Sequence, residues 1–185
     1  RDWMEATPES AGTLYIDGHV RVYHGALTRL PRRYVSRERL CLRGTTDYWL
    51  NAMDGQPFFV VTRPVDDGLL SVLKEEIVPR LQTEVPGQPG AEELAADPLQ
   101  HRFTIVFDRE GYSPKFFAAM REKRIAVLTY HKFPGADWGL EEFSARSVRL
   151  VNAEEVTLQL AERGVRLSNG LWVREVRHRD ARGHQ

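Results

Sequence analysis

The sequence predicts an α/β fold: a mixed sheet with flanking helices, followed by a β-rich insertion near the C-terminus. Three observations lead there. Alternating and β-branched runs fill the stretch from Thr13 to Val65, and the apolar spacing turns helical at Leu69. Two short apolar runs, "FTIVF" and "IAVLTYHK", then alternate with a capped helix. The 185 residues can bury one good core and are too few to argue for two independent domains.

Thr13–Ile16 reads as a strand, and "HVRVYHG" after Asp17-Gly18 alternates polar with apolar residues, so a hairpin turning at Asp17-Gly18 is the simplest expectation. Residues Arg29–Arg43 hold Arg29, Arg32, Arg33, Arg37, Arg39 and Arg43 around Tyr34, a local excess of positive charge. In "YWLNAMDGQPFFVVTRPV", Asp54-Gly55 between aromatic and β-branched runs predicts a second hairpin. Leu69, Leu70, Val72, Leu73, Ile77 and Leu81 fall at helical spacing, with a bend expected near Pro79. The Pro- and Gly-rich stretch that follows reads as a surface excursion with one helical turn at "AEELAA". "FTIVF" has the continuous apolar character of a strand covered on both faces. Ser113-Pro114 supplies an N-cap and a first-turn proline, so "PKFFAAMREKR" should be a helix, and "IAVLTYHK" a further buried strand. Beyond residue 140, "ARSVRLV", "VTLQLAERGVRL" and "LWVREVRHRD", with a turn at "SNG", predict a small antiparallel appendage. The expected organisation is a core over residues 13–140, a β-rich insertion over 141–180, and flanking segments 1–12 and 181–185.

Hairpin-linked strands, a helical crossover, and then buried strands alternating with helices fit a ribonuclease H-like fold. Charge narrows the partners little: 26 Lys plus Arg balance 26 Asp plus Glu, so nucleic-acid or membrane binding has to be argued locally. Cys41 is alone, which excludes an internal disulfide and a C-x-x-C metal site and suits a reducing compartment. No apolar run approaches the roughly 20 residues of a membrane span, and "RDWMEATPES" lacks a signal peptide's core. A cytoplasmic protein is expected. The start at Arg1 and the polar end "RHRDARGHQ" suggest a piece of a longer polypeptide.

In the predicted topology the first strand lies beside the strand after the first helix, which makes Asp17 and Asp108 neighbours. Two carboxylates so close repel unless a cation lies between them, and hard oxygen ligands select Mg²⁺ or Mn²⁺. Two such ions about 4 Å apart can activate an attacking oxygen and stabilise a leaving one in phosphodiester chemistry. Singly, each aspartate also has a bland reading: Asp17-Gly18 as a turn, and Asp108 as the start of the turn "DREGYS". Their joint placement favours a site.

"YIDGHVRVYHG", "RLCLRGTTDYWLNAMDGQPFFVV" and "VFDREGYSPKFFAAMREKRIAVLTYHK" resemble the catalytic core of bacterial insertion-sequence transposases of the DDE type, related in fold to retroviral integrases. The likeness runs from about Thr13 to Arg179. It implies that Asp17 and Asp108 are the first two catalytic acids and metal ligands. It also implies Mg²⁺ or Mn²⁺ as cofactor, with two ions in the complete site. DNA, as transposon ends and target, would be the partner of an oligomer working at the bacterial nucleoid. Relatives with a β-rich insertion carry their third acid after it, which here would lie beyond Gln185, so the isolated piece would be inactive. Glu142 is the rival in-chain candidate, at a spacing near that of integrases, but "GLEEFSARSVRLV" lacks the periodicity of a core helix.

His19 and His24, five apart on an alternating strand, would point to opposite faces and cannot share a metal. There is no phosphate-loop motif, and Ser113 has no nucleophile-elbow glycines. DNA contact is expected from Arg32, Arg33, Arg37 and Arg39, and from Arg174, Arg177, His178 and Arg179, although arginines on a solvated edge strand also discourage sheet association. Trp138 and Trp172 could stack on a splayed base, with burial the expected fate of Trp172. The alternatives to a transposase core are a non-catalytic DNA-binding or assembly module with an inherited fold, and a ribonuclease H-like nuclease that hydrolyses without strand transfer.

Overall fold

The computed structural model describes residues 12–35, 38–150 and 152–185. These form two compact units, the first ending at Tyr130 and the second running His131–Gln185. The boundary falls ahead of residue 140, where the sequence pattern changes.

The first unit is built on a six-stranded mixed sheet. Its strands are β1 (Thr13–Val22), β2 (Arg32–Val35), β3 (Leu40–Ala52), β4 (Pro57–Pro64), β5 (Thr104–Phe107) and β6 (Ala126–Thr129). The order is β2-β3-β1-β5-β6, with β4 also paired to β3. β1 runs antiparallel to β3, and β3 antiparallel to β4. β1, β5 and β6 are parallel. Antiparallel strands on one side and parallel strands on the other make the ribonuclease H-like arrangement, with β2 as an addition.

The expected hairpin at Asp17-Gly18 is absent: β1 passes straight through both residues. Gly18 serves a close approach instead. A Cβ there would lie 3.2 Å from Tyr48 Cε1, because the Tyr48 ring packs over it from the neighbouring strand. The hairpin predicted at Asp54-Gly55 does form, with Gly55 at φ 85° and its N–H bonded to the Ala52 carbonyl at 3.0 Å. The same dipeptide thus turns where nothing packs on the glycine and runs on where an aromatic ring does.

Helix α1 covers residues 69–84 as α-helical Leu69–Val72, a π-helical turn Leu73–Ile77, and α-helical Val78–Glu84. Pro79 removes a backbone donor and crowds the carbonyl four residues back, and the wider π turn just before it takes up that misfit. After the short helix α2 (Ala91–Ala96) comes β5, then α3 (Pro114–Glu122). The Ser113 hydroxyl accepts from Phe116 N at 3.3 Å as the α3 N-cap.

Alternation along the strands divides the sheet into two faces. The inner face carries Leu14, Ile16, Leu50, Phe59, Ile105 and Phe107, all buried. Both long helices lie against it: Phe107 meets Phe116 of α3 edge-on at 5.9 Å, and Arg80 of α1 lies 3.9 Å over the Phe59 ring. Lys123 beyond α3 reaches Gln82 of α1 at 3.3 Å. On the opposite face Thr104 and Val106 of β5 are half-buried and Leu128 of β6 is 60% exposed, so these strands are not fully covered on both sides.

The second unit is a three-stranded antiparallel sheet, β7 (Ser144–Arg149), β8 (Glu155–Arg166) and β9 (Trp172–Arg179), in that order. Arg177 is buried, donates to the Ala136 carbonyl at 3.0 Å and to that of Pro134, and stacks 4.5 Å from the Trp138 ring. Arg163 stacks on the same ring at 4.4 Å. Among the described residues, no helix is long and apolar enough to cross a membrane.

Candidate functional site

Asp17 lies within β1, on the open face, with Trp49 directly across on β3. It is not at a strand end, as the sequence suggested, but it is where the pairing with β5 stops. The last parallel pair is Ile16 with Phe107, so Asp17 and Asp108 are the next residue on each of two adjacent strands. Adjacent strands are about 4.8 Å apart. Asp108 keeps an extended backbone (φ −75°, ψ 173°), so strand alternation turns it to the same face as Asp17. Both side chains are exposed.

Asp108 is held locally. Its Oδ1 accepts from Glu110 N at 2.7 Å, capping the 3₁₀ turn Arg109–Gly111, and its carbonyl accepts from Thr129 Oγ1 at 3.0 Å. One carboxylate oxygen is used as a cap, and the carboxylate is fixed at the rim of the sheet by the turn that leads into α3.

A third acid on this face, Asp47, was missed from the sequence. It is buried on β3, two residues from Trp49. Arg21 grips it through Nε at 2.6 Å and Nη2 at 2.9 Å, and Thr62 Oγ1 donates at 2.7 Å. The network ties β1, β3 and β4 together and takes up the charge of Asp47. Its signal was an acid inside the apolar β pattern "TTDYWL", where burial demands a partner. Among the described residues, no three His, Cys, Asp or Glu side chains form a metal-holding group.

The model of a family described as transposase protein matches residues 1–185, the whole chain. The chain belongs to this transposase family. It is also similar to Mos1 transposase in a paired-end complex with the left transposon end, with a TM-score of 0.38 and 7% identity. That likeness covers 72% of this chain and 39% of the Mos1 chain, so this chain spans well under half of that protein. No curated protein matches.

In this transposase-family chain, Glu142 ends the 3₁₀ turn Leu140–Glu142 of the second unit. It is engaged locally: Arg163 bonds both carboxylate oxygens, and Gly139 N donates to Oε1 at 2.9 Å. The Arg163 hydrogen bond holds Glu142 below the usual glutamate range, partly opposed by burial. This is the signature of a structural ion pair.

Of the expected DNA-contacting arginines, Arg32 and Arg33 are exposed on β2, and Arg33 reaches the Val65 carbonyl at 3.4 Å. Arg39 is exposed at φ 53° in the turn between β2 and β3. Arg37 lies outside the described residues. The basic tail splits: Arg177 is committed to the Trp138 packing and Arg174 bonds Glu162 at 3.1 Å, so neither is a free phosphate ligand. The tryptophans reverse their expected fates. Trp138 is 7% exposed between two guanidinium groups, while Trp172, the first residue of β9 after the β8–β9 turn, is 65% exposed. His19 is exposed on β1, and His24 lies past the strand.

Proposed function

We propose that this chain is part of the catalytic core of a DNA transposase, with Asp17 and Asp108 as its first two acids. The supporting observation is their register: consecutive positions after the last β1–β5 pair, on one exposed face, in a chain of a transposase family. Two like charges on adjacent strands destabilise the sheet unless something positive is shared. The donor set fits Mg²⁺ or Mn²⁺, which take one or two carboxylates and complete their shell with water and substrate phosphate. When bound, such an ion supplies charge stabilisation to the attacking and leaving oxygens of a phosphodiester.

The chain's own residues set the conditions. The Glu110 N–H fixes one Asp108 oxygen, which leaves the other to face the site. Arg21 offsets the charge of buried Asp47 and Thr62 donates a hydrogen bond to it, whereas Asp17 and Asp108 are exposed on the same face and open to a cation. Arg32, Arg33 and Arg39, on the ribbon of β2 and β3, would meet DNA phosphates.

A second reading, a DNA-binding or assembly module without catalysis, draws support from Glu142, whose carboxylate is occupied by Arg163. Mn²⁺ titration followed by electron paramagnetic resonance separates the two. Saturable binding that Asp17→Asn or Asp108→Asn abolishes supports the metal site, and binding that both variants retain refutes it. In the full-length protein, either Asp→Ala change should abolish cleavage of element ends and leave end binding intact.

A further inference from the structure

The open face of the first sheet carries aromatic side chains around the acid pair. Trp49 and Tyr15 are 42% and 41% exposed, Trp49 directly across from Asp17 and Tyr15 two residues before it on the same face. Cross-strand partners have Cβ atoms about 5 Å apart, so whatever covers Trp49 also covers the Asp17 carboxylate. An apolar protein segment laid there would strip water from an unneutralised charge, which is costly. Farther along the same face, at the ribbon, Arg32 and Arg43 are direct cross-strand partners. Two guanidinium groups side by side repel, and an anion between them removes the penalty.

Aromatic faces and a paired cation on one surface, with carboxylates between, complement a chain of bases and phosphates that brings its own counterions. We propose that this face is a stacking platform for unpaired DNA, with Trp49 as the principal stacking residue, Tyr15 beside it, and Arg32 with Arg43 clamping a backbone phosphate. This rests on the transposase reading and names the form of DNA that the acid pair meets: a strand whose bases are splayed from the duplex. Base–aromatic stacking is tolerant of sequence because every base has a π face, so this contact would hold a strand in place without reading it.

The test uses the full chain and three labelled probes of equal length: single-stranded oligothymidylate, the same strand made abasic, and a duplex. Binding is followed by fluorescence anisotropy at fixed salt and divalent cation. Trp49→Leu keeps an apolar side chain and removes the π face. It should weaken oligothymidylate binding about tenfold and leave abasic binding unchanged, while Trp49→Phe retains most of the affinity. Arg43→Ala should weaken both single-stranded probes alike and flatten the salt dependence. Equal affinity of Trp49→Leu and the parent protein for oligothymidylate, or equal loss on both single-stranded probes, overturns the platform and leaves the transposase reading standing. If the parent protein binds none of the probes, both readings fall. Should Trp49→Leu lose its fold by circular dichroism, 2-aminopurine placed in the strand reports the same contact in the parent protein. Its fluorescence should be quenched on binding, and unchanged fluorescence overturns the proposal.

Discussion

Truncating Arg21 to alanine should destabilise the first unit more than changing its partner Asp47 to asparagine. The asymmetry follows from exposure: the Asp47 side chain is 8% exposed and that of Arg21 is 60% exposed. Arg21→Ala strands a buried carboxylate with Thr62 as its remaining donor, a loss of 3–5 kcal/mol or so for a fully buried pair. Because Arg21 reaches solvent, water can follow into the space it leaves, and about 2 kcal/mol is the expected cost. Asp47→Asn instead frees a guanidinium that rehydrates, and costs about 1 kcal/mol, the worth of one hydrogen bond. In urea denaturation, with a slope of about 2 kcal/mol/M, Arg21→Ala should lower the midpoint by about 1 M and Asp47→Asn by about half that. The double variant should be more stable than Arg21→Ala alone, since it no longer buries an unpaired charge. If Asp47→Asn is as damaging as Arg21→Ala, or the two losses simply add, then Asp47 is not a clamp neutralised by Arg21 and becomes a candidate third acid.

Gly18→Val should destabilise by about 1–3 kcal/mol through collision with the Tyr48 ring, and calorimetry should show Gly18→Ala as milder. Ser113→Ala should cost about 1 kcal/mol in a denaturant titration by removing the α3 N-cap. Glu142 has a folded-state pKa depressed chiefly by the Arg163 hydrogen bond, so its contribution is present above the ordinary glutamate value of 4.5 and is lost as pH falls through the lower folded value. The melting temperature of the parent protein should therefore fall more steeply than that of Glu142→Gln on acidification below that ordinary value.

The adjacency of Asp17 and Asp108 was legible because it depends on the order of elements, and that order follows from periodicity: alternation, then helical spacing at Leu69, then short apolar runs. Register then needs only that β1 and β5 pair in parallel. What stayed hidden depends on contacts distant in sequence. Asp17-Gly18 and Asp54-Gly55 are the same dipeptide, and what separates them is the surroundings: β1 is paired to β3 and the Tyr48 ring, thirty residues away, packs over Gly18. Arg163 and Arg177 look like surface charges in an alternating strand until Trp138 is found between them. Asp47 was hidden for the same reason, since its partners come from two other strands.

The thirteen residues of β3 experience two regimes along one strand. From Thr45 to Asn51 it is bonded on both edges, to β1 and β4, whereas Leu40–Arg43 pairs with the four-residue β2. Amide protons in the doubly bonded stretch can exchange with solvent only when the sheet itself opens, and those at the arginine-bearing end need only a local fray. Deuterium uptake should therefore step sharply near Gly44, so that an extended arm is anchored in the slowest-exchanging part of the molecule.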